Sequence, residues 1–411
     1  MVMSFSDSSF RRRDLAGLAA AVAAVPVVAL ASGAAPAGAA PAPATTGPRV
    51  RLRAEGTDSP VSAVDVPLAI GAGGLARAGG PARTAALDTD RFALLGVTWR
   101  DGRGAVRVRA RVRAAGGAWS AWRRLPVLHD RPDPATAEGR ATPSATEPVW
   151  VGPSDGVQVE VDGAIVQPVL TLIDPGVRSA DSTVTPTRAP AASDAAVTAR
   201  TGAKPKKKAP NRQPAFYSRA QWGADPTWAS GRPVQVRTVK QVHVHHTATG
   251  NDYAAADVPG ILRGIYRYHT KSLGWSDVGY NFFVDRFGRI WAGRRRPKHE
   301  TQGAHTLGFN HVSVGIAVLG NHEVVAPSDA VIAGVTRVAA WKLAKYHRNA
   351  AGTIKVTSRG SDKYRKGRAV VLPVIDGHRD TNDTDCPGRY LYAELPRIRA
   401  RTARRIRRFN A

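Results

Sequence analysis

Between residues 49 and 175, apolar and polar side chains alternate with a period of two. Residues 106–113 alternate small apolar side chains with four arginines, and residues 157–161 repeat the pattern with valines. Such alternation is typical of β-strands with one buried face. Four tryptophans are available to fill a small core: Trp99, Trp119, Trp122 and Trp150. We therefore predict an all-β, sandwich-like domain over residues 49–175.

From residue 214 onward the pattern changes to a mixture of helices and strands. Apolar residues at 261–268 and at 332–346 have helical spacing, and Ser328 is placed to cap the second helix. Three short apolar runs predict strands: residues 238–246, 281–292 as a hairpin, and 313–319. We predict an α/β domain over residues 214–395.

Two further segments have compositions unlike those of the domains. Residues 176–213 are rich in Ala, Thr, Ser and Pro and end in a run of lysines, so we predict a disordered linker. Residues 396–411 are rich in arginine and form a basic C-terminal tail, which we expect to be helical. The linker separates the two predicted domains.

The first 39 residues have the pattern of an export signal. Three adjacent arginines, residues 11–13, precede an apolar run at 15–31 and a small-residue cleavage site at 37–39. The arginines resemble a twin-arginine signal. A membrane anchor is the alternative, but the apolar run is short for a spanning helix. We therefore expect a secreted protein, extracellular or associated with the cell wall, without a stable membrane anchor after signal cleavage.

The charge of the chain predicts an anionic partner. The chain has 59 basic and 32 acidic side chains, for a formal net charge of +27. Nucleic acid and an anionic cell envelope both match that charge. Export and the lack of a groove-reading motif argue against nucleic acid, so we expect none as a partner.

Candidate metal ligands cluster late in the chain, where ten of the eleven histidines follow residue 240. Alternation places His243 and His245 on one face of a predicted strand and His246 on the other. His378 and the single cysteine, Cys386, lie in a turn-rich loop. One strand histidine with these two would complete the three protein ligands of a catalytic zinc. A buried free cysteine and hydrogen-bonded histidines remain an alternative.

Seven motifs follow one another between Phe216 and about Leu395. They are SRAQWGA at 218–224, HHTA at 245–248, GWSDVGYNF at 274–282, GRIWAGR at 288–294, GAHT at 303–306, SVGI at 313–316, and GHRD with CPG at 377–388. In this order they resemble the peptidoglycan recognition protein family, also called the type 2 amidases. The resemblance covers a little under half the chain. It implies a central mixed β-sheet flanked by helices, with zinc in a cleft on one face.

The resemblance also implies roles for five residues. His245, His378 and Cys386 would be the zinc ligands. Tyr280 would orient water or help to stabilise the oxyanion, and Thr384 would donate a hydrogen bond to it. The presence of all five implies a Zn²⁺-dependent N-acetylmuramoyl-L-alanine amidase. A non-catalytic protein that only binds peptidoglycan is the alternative.

Four more residues are candidates for substrate binding on the same resemblance. They are His305, Arg294, Asn310 and Trp275. Trp275 could stack on sugar or pack in the core. His305 could bind substrate or pack within its loop. The implied partner is peptidoglycan, and the basic face of the β domain and the basic tail also suit anionic wall polymers.

Overall fold

The computed structural model describes residues 49–68, 81–183 and 213–410. The predicted signal peptide, residues 1–39, and residues 184–212 of the predicted linker lie outside this part of the chain. None of the helices in the described ranges has both the length and the apolar character that crossing a membrane requires.

The first domain consists almost entirely of strands. They are β1 (Arg53–Ala54), β2 (Ser62–Pro67), β3 (Ala82–Arg83), β4 (Leu87–Ala114), β5 (Arg123–Leu125), β6 (Ser144–Ala145) and β7 (Val149–Asp174), with one short helix, α1 (Ala137–Arg140). The sheet order is β1-β2-β7-β4-β5, with β3 beside β7 and β6 beside β4. Leu94 of β4 pairs with both Trp150 and Ile173, so the two ends of β7 flank β4. The predicted all-β class is confirmed.

The core of the β domain differs from the prediction in its tryptophans. Trp99 and Trp150 are buried, whereas Trp119 and Trp122 are half-buried under arginines. The guanidinium carbon of Arg83 lies 5.1 Å from the ring centroid of Trp122. Arg111 lies over the ring of Trp119 in the same way, 5.5 Å from its centroid. Both are cation–π contacts on the basic face, so Trp119 and Trp122 are not core residues.

Acidic side chains of β7 oppose the arginines of that basic face. Arg107 pairs with Asp162 at 2.8 Å, and Arg109 pairs with Glu160. Part of the positive charge that favoured anionic wall polymers is therefore neutralised within the sheet.

The second domain is α/β. Its strands are β8 (Gln241–His246), β9 (Phe282–Val284), β10 (Ile290–Ala292), β11 (Ser313–Val318), β12 (Thr353–Thr357), β13 (Ala369–Pro373) and β14 (Ile375–Gly377). Its helices are α2 (Arg219–Trp222), α3 (Val258–Arg267), α4 (Asp329–Ala344), α5 (Arg389–Ala393) and α6 (Leu395–Asn410). The central sheet has the order β10-β9-β11-β8-β14, and only the β9–β10 pair is antiparallel. The predicted mixed sheet with flanking helices is confirmed.

The two faces of strand β8 lie in different surroundings. Val242 and Val244 belong to an apolar cluster with residues of α4 and α6. His243 and His245 point to the opposite face and are also buried. Ser328 caps α4 as predicted, because its Oγ accepts a hydrogen bond from the N–H of Val331 at 3.4 Å.

The β domain and the α/β domain share one hydrophobic cluster. The ring of Tyr268 lies against Gly96, where a Cβ atom would be 2.6 Å from the ring. A Cβ atom at Gly264 in α3 would likewise be 2.5 Å from Leu94. Both glycines therefore permit a close approach of the domains that a larger residue would prevent.

The start of the predicted linker is packed rather than unfolded. Ser179–Ser182 form a 3₁₀ turn, and the carboxylate of Asp181 pairs with the guanidinium of Arg263 in α3 at 2.7 Å. Both side chains are buried, so this contact fixes the end of the β domain to the α/β domain.

Candidate active site

Three potential metal ligands meet at one edge of the central sheet. His245 is the next-to-last residue of β8, His378 directly follows β14, and Cys386 lies in the loop beyond. Since β8 and β14 are parallel neighbours, their carboxyl ends place the two histidines at the same edge. Ligand atoms of the three residues lie within 4.8 Å of one another, and all three side chains are buried.

Burial determines the protonation of these side chains. It lowers the pKa of both His245 and His378 well below the usual value, so the imidazoles are neutral at pH 7 and able to bind a cation. Burial and the nearby carboxyl of Asp130 raise the pKa of the Cys386 thiol. A divalent cation would reverse that effect and hold the sulfur as a thiolate.

A second imidazole holds His245 in place. His245 Nε2 lies 3.1 Å from His305 Nδ1, while His245 Nδ1 lies 3.7 Å from Cys386 Sγ. A Cβ atom at Gly315 would be 2.4 Å from the His305 ring, so the glycine of the SVGI motif makes room for it. One ring nitrogen of His245 is thus held by His305, and the other faces the cluster.

The other two strand histidines have different partners. His243 Nδ1 lies 2.5 Å from Asp376 Oδ1, and both side chains are fully buried. His246 Nδ1 accepts a hydrogen bond from the N–H of His322 at 3.1 Å on the opposite face of the strand. Of the three, only His245 belongs to the ligand cluster.

A fourth group reaches the cluster from the β domain. Asp130 lies between β5 and β6, and its Oδ1 is 3.3 Å from His245 Nδ1 and 3.2 Å from His378 Nδ1. This oxygen is buried and has no hydrogen-bond partner among the described residues. Burial raises the pKa of Asp130 to about 6. The sequence did not predict Asp130 as part of the site, because the histidines that indicate a metal site lie almost entirely in the second half of the chain.

The two residues predicted to be catalytic adjoin the cluster. Tyr280 lies two residues before β9, and its hydroxyl donates a hydrogen bond to Asp130 Oδ2. Burial raises the pKa of Tyr280 well above its usual value, so the hydroxyl remains a donor at neutral pH. Thr384 is half-buried, and its Oγ1 accepts a hydrogen bond from the N–H of Cys386 at 3.2 Å.

The four residues predicted to bind substrate are all buried, so none of them is exposed for substrate contact. His305 lies behind His245, as described above. The ring of Trp275 packs on His269 with centroids 4.5 Å apart, and its Nε1 donates a hydrogen bond to Thr142 Oγ1 at 3.1 Å. Core packing therefore describes Trp275 better than stacking on sugar.

Arg294 and Asn310 also contact the β domain. Arg294 Nη2 lies 2.5 Å from Glu138 Oε1, and Asn310 Nδ2 donates a hydrogen bond to the carbonyl oxygen of Arg131 at 2.9 Å. All of these β-domain partners lie between β5 and β6, in residues 126–143, which we call the cleft segment. The cleft segment therefore covers three of the four predicted substrate contacts.

The residues present fit a zinc ion. Two neutral imidazoles and one thiol are a usual ligand set for a catalytic zinc. The buried thiol and the unpartnered carboxylate oxygen of Asp130 are negative when ionised. A divalent cation would compensate both charges in this buried site.

Two family models match the chain in regions that correspond to the two domains. Residues 51–215 match a model described as Rv3811 N-terminal galactose-binding domain-like. Residues 235–389 match a model described as N-acetylmuramoyl-L-alanine amidase. The second match includes all three residues of the ligand cluster.

Individual proteins are similar to the α/β domain. Peptidoglycan-recognition protein SA of Drosophila melanogaster is 33% identical over 129 residues, which are 31% of this chain and 61% of that protein. The N-acetylmuramoyl-L-alanine amidase of Homo sapiens is 31% identical over 186 residues, 44% of this chain but 27% of that protein. Each match thus spans less than two thirds of the relative. Among solved structures, wild-type Drosophila PGRP-LB has a TM-score of 0.35 at 25% identity, covering 44% of this chain and 91% of that one.

Proposed function

The α/β domain belongs to the family of N-acetylmuramoyl-L-alanine amidases and peptidoglycan recognition proteins, and from this we propose that the chain is a zinc-dependent N-acetylmuramoyl-L-alanine amidase. The reaction is hydrolysis of the amide bond between N-acetylmuramic acid and L-alanine in peptidoglycan. The observation that carries the proposal is the buried cluster of His245, His378 and Cys386 beside Tyr280.

Each of these residues has a part in the proposed reaction. His245, His378 and Cys386 would hold zinc, which when bound supplies a Lewis acid that polarises the amide carbonyl and activates water. Tyr280, protonated at neutral pH, would donate a hydrogen bond to the oxygen on which charge develops. Thr384, in the loop that carries Cys386, would donate a second one.

We also propose that the protein acts outside the cytoplasm on the cell wall. The export pattern of residues 1–39 and the net charge of +27 support this location. Peptidoglycan is the proposed partner, and anionic wall polymers would attract the basic C-terminal helix α6.

Digestion of purified peptidoglycan tests the proposed reaction. The zinc-loaded protein should release free stem peptides with an N-terminal alanine, as measured by mass spectrometry, and a chelator should stop the release. A His378→Gln variant should be inactive, whereas the matched control His299→Gln, which alters an exposed histidine outside the cluster, should be active.

A protein that binds peptidoglycan without cutting it is the second candidate. The similarity of the α/β domain to peptidoglycan-recognition protein SA favours it. Muropeptides that remain intact after prolonged incubation with zinc, together with binding to the insoluble wall, would support this candidate and contradict the amidase.

A further inference from the structure

The cleft segment lies across the α/β domain where substrate is expected. It leaves β5, contacts the α/β domain, and returns to β6, with only the four-residue helix α1 as regular structure. Its acidic residues reach basic and amide groups of the second domain. Asp133 Oδ2 lies 3.3 Å from Arg359 Nη1 and 3.4 Å from Gln302 Nε2.

The contacts resemble those that a bound peptide would make. Glu138 Oε1 accepts hydrogen bonds from Arg294 at 2.5 Å and from the N–H of Ser276 at 3.2 Å. The main-chain carbonyl of Arg131 accepts one from Asn310. Carboxylates and peptide carbonyls are also the acceptor groups of a peptidoglycan stem. The cleft segment therefore uses the same donors that a substrate would need.

From these contacts we infer that Asp130 is a fourth ligand of the zinc site and that the cleft segment is an autoinhibitory plug of the active site. The inference rests on the proposed amidase function and describes how that site is regulated. A catalytic zinc keeps one coordination position for water, whereas four protein ligands make a closed site. Asp130 in that position leaves no place for water, so hydrolysis by the wild type is slow and is limited to the fraction of molecules in which the cleft segment has moved away.

The distances from Asp130 to the two histidines support this role. A tetrahedral zinc with bonds of about 2.0–2.1 Å to nitrogen and oxygen separates those ligand atoms by about 3.3 Å. Asp130 Oδ1 is 3.3 Å and 3.2 Å from the two imidazole nitrogens, without a hydrogen bond to either. The second oxygen of Asp130 accepts the hydrogen bond of the Tyr280 hydroxyl, so Tyr280 is engaged as well.

Cobalt(II) in place of zinc provides a test of the ligand that does not depend on hydrolysis. Asp130→Asn should change the visible d–d absorption, because water replaces a carboxylate, and should keep the charge-transfer band of the Cys386 thiolate. The matched control is Asp162→Asn, which alters an exposed carboxylate of the same domain and should leave the spectrum unchanged. Identical spectra for the wild type and Asp130→Asn would overturn the inference.

A measurement on the wild type alone guards against a variant that does not fold. Azide added to the cobalt wild type should leave the spectrum unchanged, because the fourth position is filled. An immediate shift with azide would show an open position and would overturn the inference. If the wild type takes up no cobalt, or shows no thiolate band, the proposed zinc site itself fails.

Binding of a soluble N-acetylmuramoyl peptide tests the plug. Asp130→Asn and Glu138→Gln should each bind the peptide at least about tenfold more tightly than the wild type, because each loses a contact that holds the cleft segment in place. Asp130→Asn should also digest peptidoglycan faster. Loss of hydrolysis in Asp130→Asn without tighter peptide binding would show instead that Asp130 takes part in catalysis, and would overturn the inference.

Discussion

Strand β8 carries valines on one side and histidines on the other, and the two sides are completed by different parts of the chain. Val242 and Val244 pack against apolar residues of α4 and α6, all within the α/β domain. His243 and His245 are equally buried, but their neighbours are polar: Asp376 of β14 for His243 and Asp130 of the β domain for His245. The valine side is a core that stabilises the fold. The histidine side is a site whose parts come from distant positions.

The largest expected effect is on the histidine side. Cys386→Ser should lower the rate of peptidoglycan hydrolysis by about a thousandfold or more, because a hydroxyl is a poor substitute for a thiolate on zinc. The free energy of unfolding of the zinc-free protein should change little. Release of stem peptides and urea unfolding measure the two quantities. If the variant retained its activity, Cys386 would not be a zinc ligand in the proposed site.

The valine side should show the opposite response. Ile316→Ala removes a fully buried side chain of β11 from the apolar cluster, so it should lower the free energy of unfolding by about 2–5 kcal/mol. Hydrolysis per folded molecule should be unchanged. Val371→Ala is the matched control, since Val371 is 64% exposed and its loss should cost less than about 0.5 kcal/mol. A large loss of hydrolysis in Ile316→Ala would mean that the two sides are coupled.

The histidine side should also make stability depend on pH. Burial and the positive charge of Arg294 lower the pKa of His269, beside Tyr280, to about 3. The unfolded chain takes up a proton near pH 6.5 that the folded chain does not accept until about pH 3. Stability is therefore full above pH 6.5 and falls as the pH drops toward 3.

His269→Asn isolates this contribution. In the wild type, His269 Nδ1 accepts a hydrogen bond from the N–H of Gly279 at 3.1 Å. Asparagine retains an acceptor for this hydrogen bond. Between pH 6 and pH 4, the variant should lose about 1.4 kcal/mol per pH unit less than the wild type. Urea unfolding at several pH values measures the slopes. Parallel curves would show that His269 is not the group responsible.

The smallest expected effect lies at the edge of the valine side. Ser328→Ala removes the cap of α4 and should lower the free energy of unfolding by about 1 kcal/mol, with no change in hydrolysis. Thermal unfolding of the zinc-free protein measures this change. A Ser328→Asp variant restores an acceptor and should recover most of the lost stability. Failure to recover it would argue that packing, and not the cap, accounts for the loss.

The sequence predicts the valine side better than the histidine side. The apolar stripe of α4 and the cap at Ser328 follow from local spacing, because such patterns report burial within one element. Motifs in a recognisable order identified His245, His378 and Cys386 as candidate ligands. Asp130 could not be found in this way, since it lies outside the α/β domain, and no periodic pattern marks a loop residue. The prediction that Trp119 belongs to the core was wrong for a related reason. Alternation along a strand indicates that the sheet has an apolar and a basic face, but it does not indicate which aromatic rings lie under arginines.

The close fit of Tyr268 to Gly96 and of Leu94 to Gly264 has a consequence for dissecting the protein. A fragment cut within residues 184–212 and purified without its β domain would present these apolar surfaces to solvent. Such a fragment should self-associate or bind hydrophobic dyes. Substitutions that make this surface polar would then be needed before the α/β domain could be studied by itself.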